Sequence, residues 1–226
     1  GPCRGGNEEH NAIAIAASPD GVPAIGTWSD DAGDTGIAKL SAGAPWIVAG
    51  SSGHAGPRAY AATSSDGVCA DLTSPALTLA DPGQGPQLTF WTKHDLDYDP
   101  GEIFVSEGSL GQAEIATAPA FSSWTRVPLA PDYPEPVAFP NNDCLSTQNA
   151  ARYFTGSHLT YAMYSASLGN WAGGDVKIRF HLSGDHFYVG GNWWVDDVTI
   201  TKALVPGACQ SIAAGPPPIP DGGIVP

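Results

Sequence analysis

Positively charged residues are scarce in this sequence. Lys and Arg together number 9 against 23 Asp and Glu, which gives the 226 residues a net charge of −14. Binding to a phosphate backbone or to an anionic lipid surface depends on clustered cations. The charge therefore argues against nucleic acid and against a membrane surface as partners.

Long apolar segments are also missing. No run of 18 or more apolar residues occurs, so the sequence predicts no membrane insertion. The first residues, Gly1–Arg4, lack the apolar stretch of a signal peptide. If the protein is secreted, we therefore expect this chain to be a processed form cut from a longer polypeptide.

Cysteine occurs only four times, without a CxxC pair or a zinc-like Cys/His cluster. An even number of well-separated cysteines favours two disulfides in an oxidising compartment, with four free thiols as the alternative. Three pairings are possible, and the sequence does not choose among them. We favour Cys3–Cys209, which would join two chain ends, and Cys69–Cys144, which would anchor a long polar loop at 130–150.

Catalytic signatures are absent from the sequence. It contains no H-E-x-x-H, no G-x-S-x-G and no P-loop lysine motif, and its six histidines are scattered. A glycosidase built on two carboxylates needs no sequence motif, so that class stays open. We expect a protein that is not an enzyme.

Short strand signals are what the sequence has in quantity. Seven segments rich in β-branched or aromatic residues are bounded by Gly, Pro, Asp, Asn or Ser. They are 72–79, 87–92, 102–106, 124–129, 159–164, 175–182 and 193–201. In DVKIRFHL, the segment 175–182, apolar residues alternate with polar ones, as in a strand with one solvated face. This pattern predicts an all-β sandwich or barrel.

The predicted domain covers residues 30–205. Residues 1–29 are expected to form an extension, in which NAIAIAA at 11–17 adds a strand or reaches a neighbouring subunit. Residues 206–226 contain a Pro triplet and paired Gly, and they predict a Pro-rich C-terminal linker.

Several segments together resemble a known family. They are HAGPRAY at 54–60, DLTSPALTL at 71–79, LTFWTKH at 88–94, DPGEIFVS at 99–106, VKIRF at 176–180 and GNWWVDDVTI at 191–200. Their order and the W-W-V-D-D-V ending are similar to the MAM-like jelly-roll modules called choice-of-anchor J or cleaved-adhesin domains, which occur in secreted bacterial proteins. The resemblance implies a calcium-stabilised jelly-roll β-sandwich of two antiparallel sheets, without catalysis of its own.

Two adjacent aspartates interrupt the alternation of the last predicted strand. Val195, Val198 and Ile200 cannot share one face at period two, so we expect a β-bulge at Asp196 and Asp197. Two ionised carboxylates between buried aliphatic residues need a compensating group, and Ca²⁺, with six to eight oxygen ligands, is one candidate. Capping of loop amides by the two carboxylates is the alternative.

A second acidic cluster places Asp97 and Asp99 at alternate positions ahead of a glycine. This spacing is similar to the opening of a calcium loop, whereas a solvated hairpin turn is the alternative. We name Asp196, Asp197, Asp97 and Asp99 as candidate calcium ligands.

Tryptophan is plentiful, with seven residues. Exposed aromatic side chains can stack on sugar rings, and jelly rolls are a common lectin scaffold. Neighbouring residues of a strand point to opposite faces, so Trp193 and Trp194 are not both expected in the core of a one-sided sheet. We name Trp193, Trp194 and Asn192 as candidate ligand-binding residues, with core packing as the alternative.

These observations predict a non-catalytic adhesion or surface-binding module, secreted or on the cell surface. Calcium is its expected structural ion, and its expected partner is an extracellular glycan or protein. One alternative is a subunit of an extracellular homopolymer that self-associates through the 11–17 arm or the linker. The other is a carbohydrate-binding module of a secreted hydrolase.

Overall fold

The structure is a computed structural model that describes residues 26–99, 107–137, 144–145, 151–186 and 190–204. The described residues form sixteen strands and two single-turn 3₁₀ helices, and they contain no α-helix. The strands are β1 (Gly26–Asp30), β2 (Ser41–Ala42), β3 (Ile47–Gly50), β4 (Arg58–Thr63), β5 (Cys69–Thr73), β6 (Leu77–Leu79), β7 (Gln87–Leu96), β8 (Tyr98–Asp99), β9 (Glu107–Gly108), β10 (Leu110–Thr117), β11 (Thr125–Arg126), β12 (Glu135–Val137), β13 (Ala151–Tyr153), β14 (Gly156–Ser167), β15 (Asp175–Ser183) and β16 (Gly191–Leu204). The helical turns are Pro82–Gln84 and Gly169–Trp171, and neither is long and apolar enough to cross a membrane.

The strands form two antiparallel layers. In the first layer, β16 pairs with β7 on one side and with β4 and β1 on the other; β14 extends the layer beyond β7, and β3 extends it beyond β4. In the second layer, β15 pairs with β10 on one side and with β5 and β6 on the other. Because β6 also pairs with β16, the two layers join into one curled sheet of twelve strands. The predicted all-β class with two antiparallel layers is confirmed.

Large aromatic side chains fill the space between the layers. Those less than 2% exposed are Trp28, Trp193, Tyr60, Tyr133, Phe90, Phe154 and Phe180. Phe90 of β7 meets Phe180 of β15 edge to face, with ring centroids 4.8 Å apart. Alternating side chains of facing strands therefore supply the core, as the period-two pattern of 175–182 indicates.

Pro75 divides the strand predicted at 72–79. β5 ends at Thr73 and β6 begins at Leu77, because proline has no N–H to donate to a sheet ladder. Ser74 bridges this interruption: its N–H donates to the carbonyl of Ile178, and its Oγ accepts the Ile178 N–H.

The first strand begins before the predicted domain boundary at residue 30. β1 pairs with residues 198–203 of β16, and its Trp28 is 1% exposed. Residues 26–29 therefore belong to the sheet and not to the predicted arm at 1–29. The remainder of that arm and the predicted linker at 206–226 lie outside the described residues.

The segment predicted as a polar surface loop at 130–150 contributes buried side chains. Tyr133 is 1% exposed; its hydroxyl donates to the carbonyl of Val127 at 2.9 Å and accepts the N–H of Ala113 at 3.1 Å. Cys144 forms a disulfide with Cys69, at a Cα–Cα distance of 5.7 Å, and this is the pair that we favoured from the sequence. The other favoured pair, Cys3 and Cys209, lies outside the described residues.

Candidate binding face

The predicted bulge is present in β16. β16 and β7 stay in register as far as the pair Asp196–Trp91, and they return to register with one extra residue on β16. Asp197 adopts a left-handed backbone with φ of 47°. The extra residue lets Val195 and Val198 both face the core, where they are at most 1% exposed. The prediction of a β-bulge here is confirmed.

The two carboxylates at this bulge hold the loop 51–57, between β3 and β4, onto the sheet. Asp196 Oδ2 accepts the backbone N–H of His54 at 2.7 Å, and Asp197 Oδ2 lies 2.8 Å from His54 Nδ1. The His54 ring stacks on Trp91, with centroids 3.7 Å apart and planes 13° apart. The loop therefore covers the outer face of the first layer beside the bulge, as in the amide-capping alternative.

This arrangement does not fit a calcium ion at the bulge. Asp196 accepts two backbone N–H groups and Asp197 faces a ring nitrogen, whereas Ca²⁺ takes six to eight oxygens. Asp97 lies beside Gly190, which precedes β16 and is six residues from Asp196, or roughly 20 Å at the rise of a strand. Within the described part of the chain, no group of three or more His, Cys, Asp or Glu side chains is arranged to hold a metal. Calcium binding by Asp97 and Asp99 stays a prediction.

Burial raises the pKa of Asp196 to about 6. The N–H groups of His54 and Asp197 favour the ionised form, while the negative charges of Asp197 and Asp34 oppose it. Burial also raises the pKa of Tyr161, and the charges of Asp196 and Asp197 add to this effect. The region under the loop therefore concentrates negative charge.

Replacing Asp196 with Asn should change how stability depends on pH. A carboxyl group with a pKa of about 6 when folded and 3.8 otherwise binds its proton more tightly in the folded protein. The contribution of the Asp196 carboxyl to the free energy of unfolding is therefore most favourable below pH 3.8 and is lost as the pH rises through 6. We expect the free energy of unfolding of Asp196→Asn, relative to wild type, to increase from about pH 4 to pH 7. Urea denaturation at both pH values measures it, with exposed Asp81→Asn as the control; a pH-independent difference would contradict the prediction.

Three aromatic rings and a lysine lie beside the bulge on the outer face of the first layer. Trp91 and Lys93 of β7, Trp194 of β16 and Tyr161 of β14 are all partly exposed. Lys93 Nζ lies 4.6 Å from the centroid of Tyr161 and 5.1 Å from that of Trp194. We call these four residues the aromatic face.

Strand alternation and register bring three members of the aromatic face together. Trp91 and Lys93 are two residues apart on β7, so their side chains leave the same side of the sheet. Lys93 pairs with Trp194 on the neighbouring strand. Cross-strand partners share a face, so Trp194 is placed beside the lysine.

A second bulge, in β14, supplies the fourth member. The register of β14 with β7 shifts between His158 and Ala162, where residues 159–161 lie opposite the single residue Lys93. Bulges re-aim side chains. Tyr161, the last residue of the bulge, donates its hydroxyl to the carbonyl of Ser52 at 2.6 Å. The tyrosine therefore contacts the loop 51–57 and the lysine at once.

The predicted ligand-binding residues do not share one environment. Trp193 is 0% exposed and its Nε1 donates to Thr92 Oγ1 at 2.7 Å, so the prediction that it binds a ligand is wrong. Trp194, its neighbour, points to the opposite side and belongs to the aromatic face. Asn192 is partly exposed, and its Oδ1 accepts a hydrogen bond from Thr63 at 2.7 Å.

Exposed apolar side chains extend the aromatic face at both ends. Met163 pairs with Trp91, and it is 50% exposed. Ile47 pairs with Ala61, which in turn pairs with Trp194, and Ile47 is 61% exposed. The outer face thus presents exposed or partly exposed apolar side chains on β14, β7, β16 and β3.

Comparisons with known proteins give structural likenesses only. No protein-family model matches the chain, and no curated protein sequence matches it. The K2 cleaved adhesin domain of Lys-gingipain is similar at 9% identity and a TM-score of 0.44, over 77% of this chain and 99% of that one. A family 11 carbohydrate-binding module of the cellulosomal cellulase Lic26A-Cel5E from Clostridium thermocellum is similar at 10% identity and a TM-score of 0.41, over 80% of this chain and 97% of that one. The TmCBM61 module in complex with β-1,4-galactotriose is similar at 13% identity and a TM-score of 0.38, over 70% of this chain and 89% of that one.

These likenesses do not identify a ligand for this chain, because their TM-scores all fall below 0.5. Cleaved adhesin domains are among the similar structures, but no family model supports the choice-of-anchor J family, so that resemblance stays a prediction.

Proposed function

We propose that this chain is a non-catalytic binding module of a secreted or cell-surface protein, and that its aromatic face binds an extracellular glycan. The observation that carries the proposal is the side-by-side placement of Trp194, Lys93 and Tyr161 on an outer sheet face. Aromatic rings bury the apolar C–H surface of a sugar ring, and polar tips nearby can hydrogen-bond to its hydroxyls.

The rings are held in place before any ligand arrives. Tyr161 is tied to the loop by its bond to Ser52, and Trp91 lies under the His54 ring. Side chains that are already ordered lose little conformational entropy on binding. Such a face suits a ligand that makes shallow contacts over a few sugar units.

The charge of the protein favours a neutral glycan. The chain has a net charge of −14, and Asp196 and Asp197 are close enough to Tyr161 to raise the pKa of its hydroxyl. Negative potential at a surface repels polyanions. Uncharged polysaccharides are therefore the class of ligand that this face suits best.

Trp194→Ala and Tyr161→Ala should each weaken glycan binding by at least about tenfold, or about 1.4 kcal/mol. An array of neutral polysaccharides identifies the ligand, and titration calorimetry measures the loss. The matched control is Trp124→Ala, because Trp124 is also partly exposed but lies over Arg179 on the second layer. The proposal would be contradicted if no polysaccharide on the array binds the protein, or if Trp124→Ala weakens binding as much as the other two variants do.

Protein adhesion is the second candidate, and the exposed apolar residues favour it. Ile47, Leu159 and Met163 are each at least 50% exposed at the ends of the aromatic face. A protein partner would cover all three, whereas a glycan would need the rings alone. The homopolymer alternative depends on residues 11–17 and 206–226, which lie outside the described residues, and it stays a prediction.

A further inference from the structure

We propose that a divalent transition-metal ion binds between His94 and His158. These two histidines lie directly opposite each other on β7 and β14. Their ring centroids are 4.8 Å apart, and their planes are inclined by 40°. Directly opposite residues of an antiparallel pair have Cβ atoms about 4.5–5.5 Å apart, so two imidazoles there can reach one ion.

The hydrogen bonds of both rings leave Nδ1 for the metal. His94 Nε2 lies 3.0 Å from the carbonyl of Thr155, and His158 Nε2 lies 2.9 Å from Glu135 Oε1. A carbonyl and an ionised carboxylate only accept, so each Nε2 carries the proton and each Nδ1 of a neutral ring carries the lone pair. Histidines that bind metals commonly donate their other N–H to a carboxylate or a backbone carbonyl. Both rings therefore have the hydrogen bonding of metal ligands.

His94 supplies a second, independent observation. Its Nδ1 is buried without a hydrogen-bond partner in the described part of the structure, and the residue is 2% exposed. A buried polar atom without a partner is costly, and coordination would satisfy it. Burial, together with the charge of His158, lowers the pKa of His94 to about 4, so this ring is neutral at pH 7.

The ligand set selects the class of metal. Imidazole nitrogen suits Zn²⁺, Cu²⁺ and Ni²⁺, whereas Ca²⁺ prefers oxygen ligands. The described residues supply no third His, Cys, Asp or Glu ligand, so water completes the coordination. The side chain of His158 is 44% exposed, which opens the site to ions from solvent. The site is thus distinct from the calcium ligands predicted from the sequence.

Titration of metal-free, untagged protein with ZnCl₂ at about pH 7.5 tests the proposal. The ordinary pKa values of Asp, Glu and His lie below this pH, so protons compete little with the metal for these side chains. We expect one Zn²⁺ per chain, with binding lost in His158→Ala and weakened about 10- to 100-fold in Glu135→Gln, which removes the carboxylate behind the ligand. His186→Gln is the control, because His186 is also an exposed histidine paired with a carboxylate, that of Asp66. Its affinity should equal that of the wild type.

Two further readouts keep the test independent of folding and of glycan binding. In ¹⁵N spectra of the imidazoles, Zn²⁺ should shift the Nδ1 resonances of both His94 and His158. Trp194→Ala should bind Zn²⁺ as the wild type does, because the aromatic face is a separate site. Absence of saturable binding, unchanged affinity in His158→Ala or unmoved Nδ1 resonances would overturn the proposal.

Discussion

Replacing Trp193 with Ala should lower the free energy of unfolding by about 3–5 kcal/mol, the usual cost of deleting a buried aromatic ring. Trp193 is 0% exposed and packs against Trp46 and Phe154, at centroid distances of 5.3 and 5.5 Å. Its indole also donates to Thr92. The variant would leave a large cavity and a hydroxyl without its donor.

Trp194→Ala is the natural control for this prediction. The residue is adjacent in sequence, but its side chain is partly exposed on the other side of the sheet. Its loss should cost less than the loss of Trp193, because part of the Trp194 side chain already contacts solvent. Urea unfolding of both variants measures the two values. Equal costs would contradict the assignment of Trp193 to the core and Trp194 to the aromatic face.

Replacing Arg179 with Leu should also destabilise the protein, by about 3–5 kcal/mol, because it leaves a buried carboxylate without its cation. Glu114 is 0% exposed, and its Oε2 accepts a hydrogen bond from Arg179 Nε at 2.5 Å. The same guanidinium donates to Asp71 Oδ2 at 2.9 Å. Burial alone would raise the pKa of the Asp71 carboxyl, but the hydrogen bond with His181 and the nearby Arg179 guanidinium hold it below its ordinary value.

The double variant Glu114→Leu, Arg179→Leu is the control. Replacing both members of a buried ion pair with apolar residues is often close to neutral, so most of the lost stability should return. The network also reaches the disulfide, since His181 lies 2.6 Å from Asp71 Oδ1 and 3.1 Å from the carbonyl of Cys144. Equilibrium unfolding compares the variants. A double variant as unstable as the single one would show that packing, and not charge burial, controls this region.

Local patterns predicted part of the fold correctly. The alternation in 175–182 predicted β15 to within one residue, because the alternate apolar side chains of that strand are buried in the core. His181, on the side predicted to be solvated, is buried as well. The break at Asp196 and Asp197 predicted the bulge, since two valines had to stay in the core. The Cys69–Cys144 disulfide is present as we favoured, but the sequence left three pairings possible and did not require this one.

The candidate site was mostly beyond such patterns. Trp91 and Lys93 have the spacing of strand neighbours, but the sequence does not say which residue of β16 or β14 lies beside them. The bulge that brings Tyr161 over Lys93 left no signal in the segment 159–164. The pairing of His94 with His158 depends on the same unpredictable register. These residues are far apart in the sequence, and only the strand registers seen in the structure show that they are neighbours.

By itself, the sequence determined the class of fold, the negative charge and the position of one bulge, because alternation, composition and a broken period are properties of neighbouring residues. Tertiary structure alone decided which of Trp193 and Trp194 is buried. Either choice satisfies the alternation of a strand, and only the layer facing β16 shows which side is the core. The partners of His54, His94 and Lys93 were decided in the same way, by strands and a loop distant in the chain.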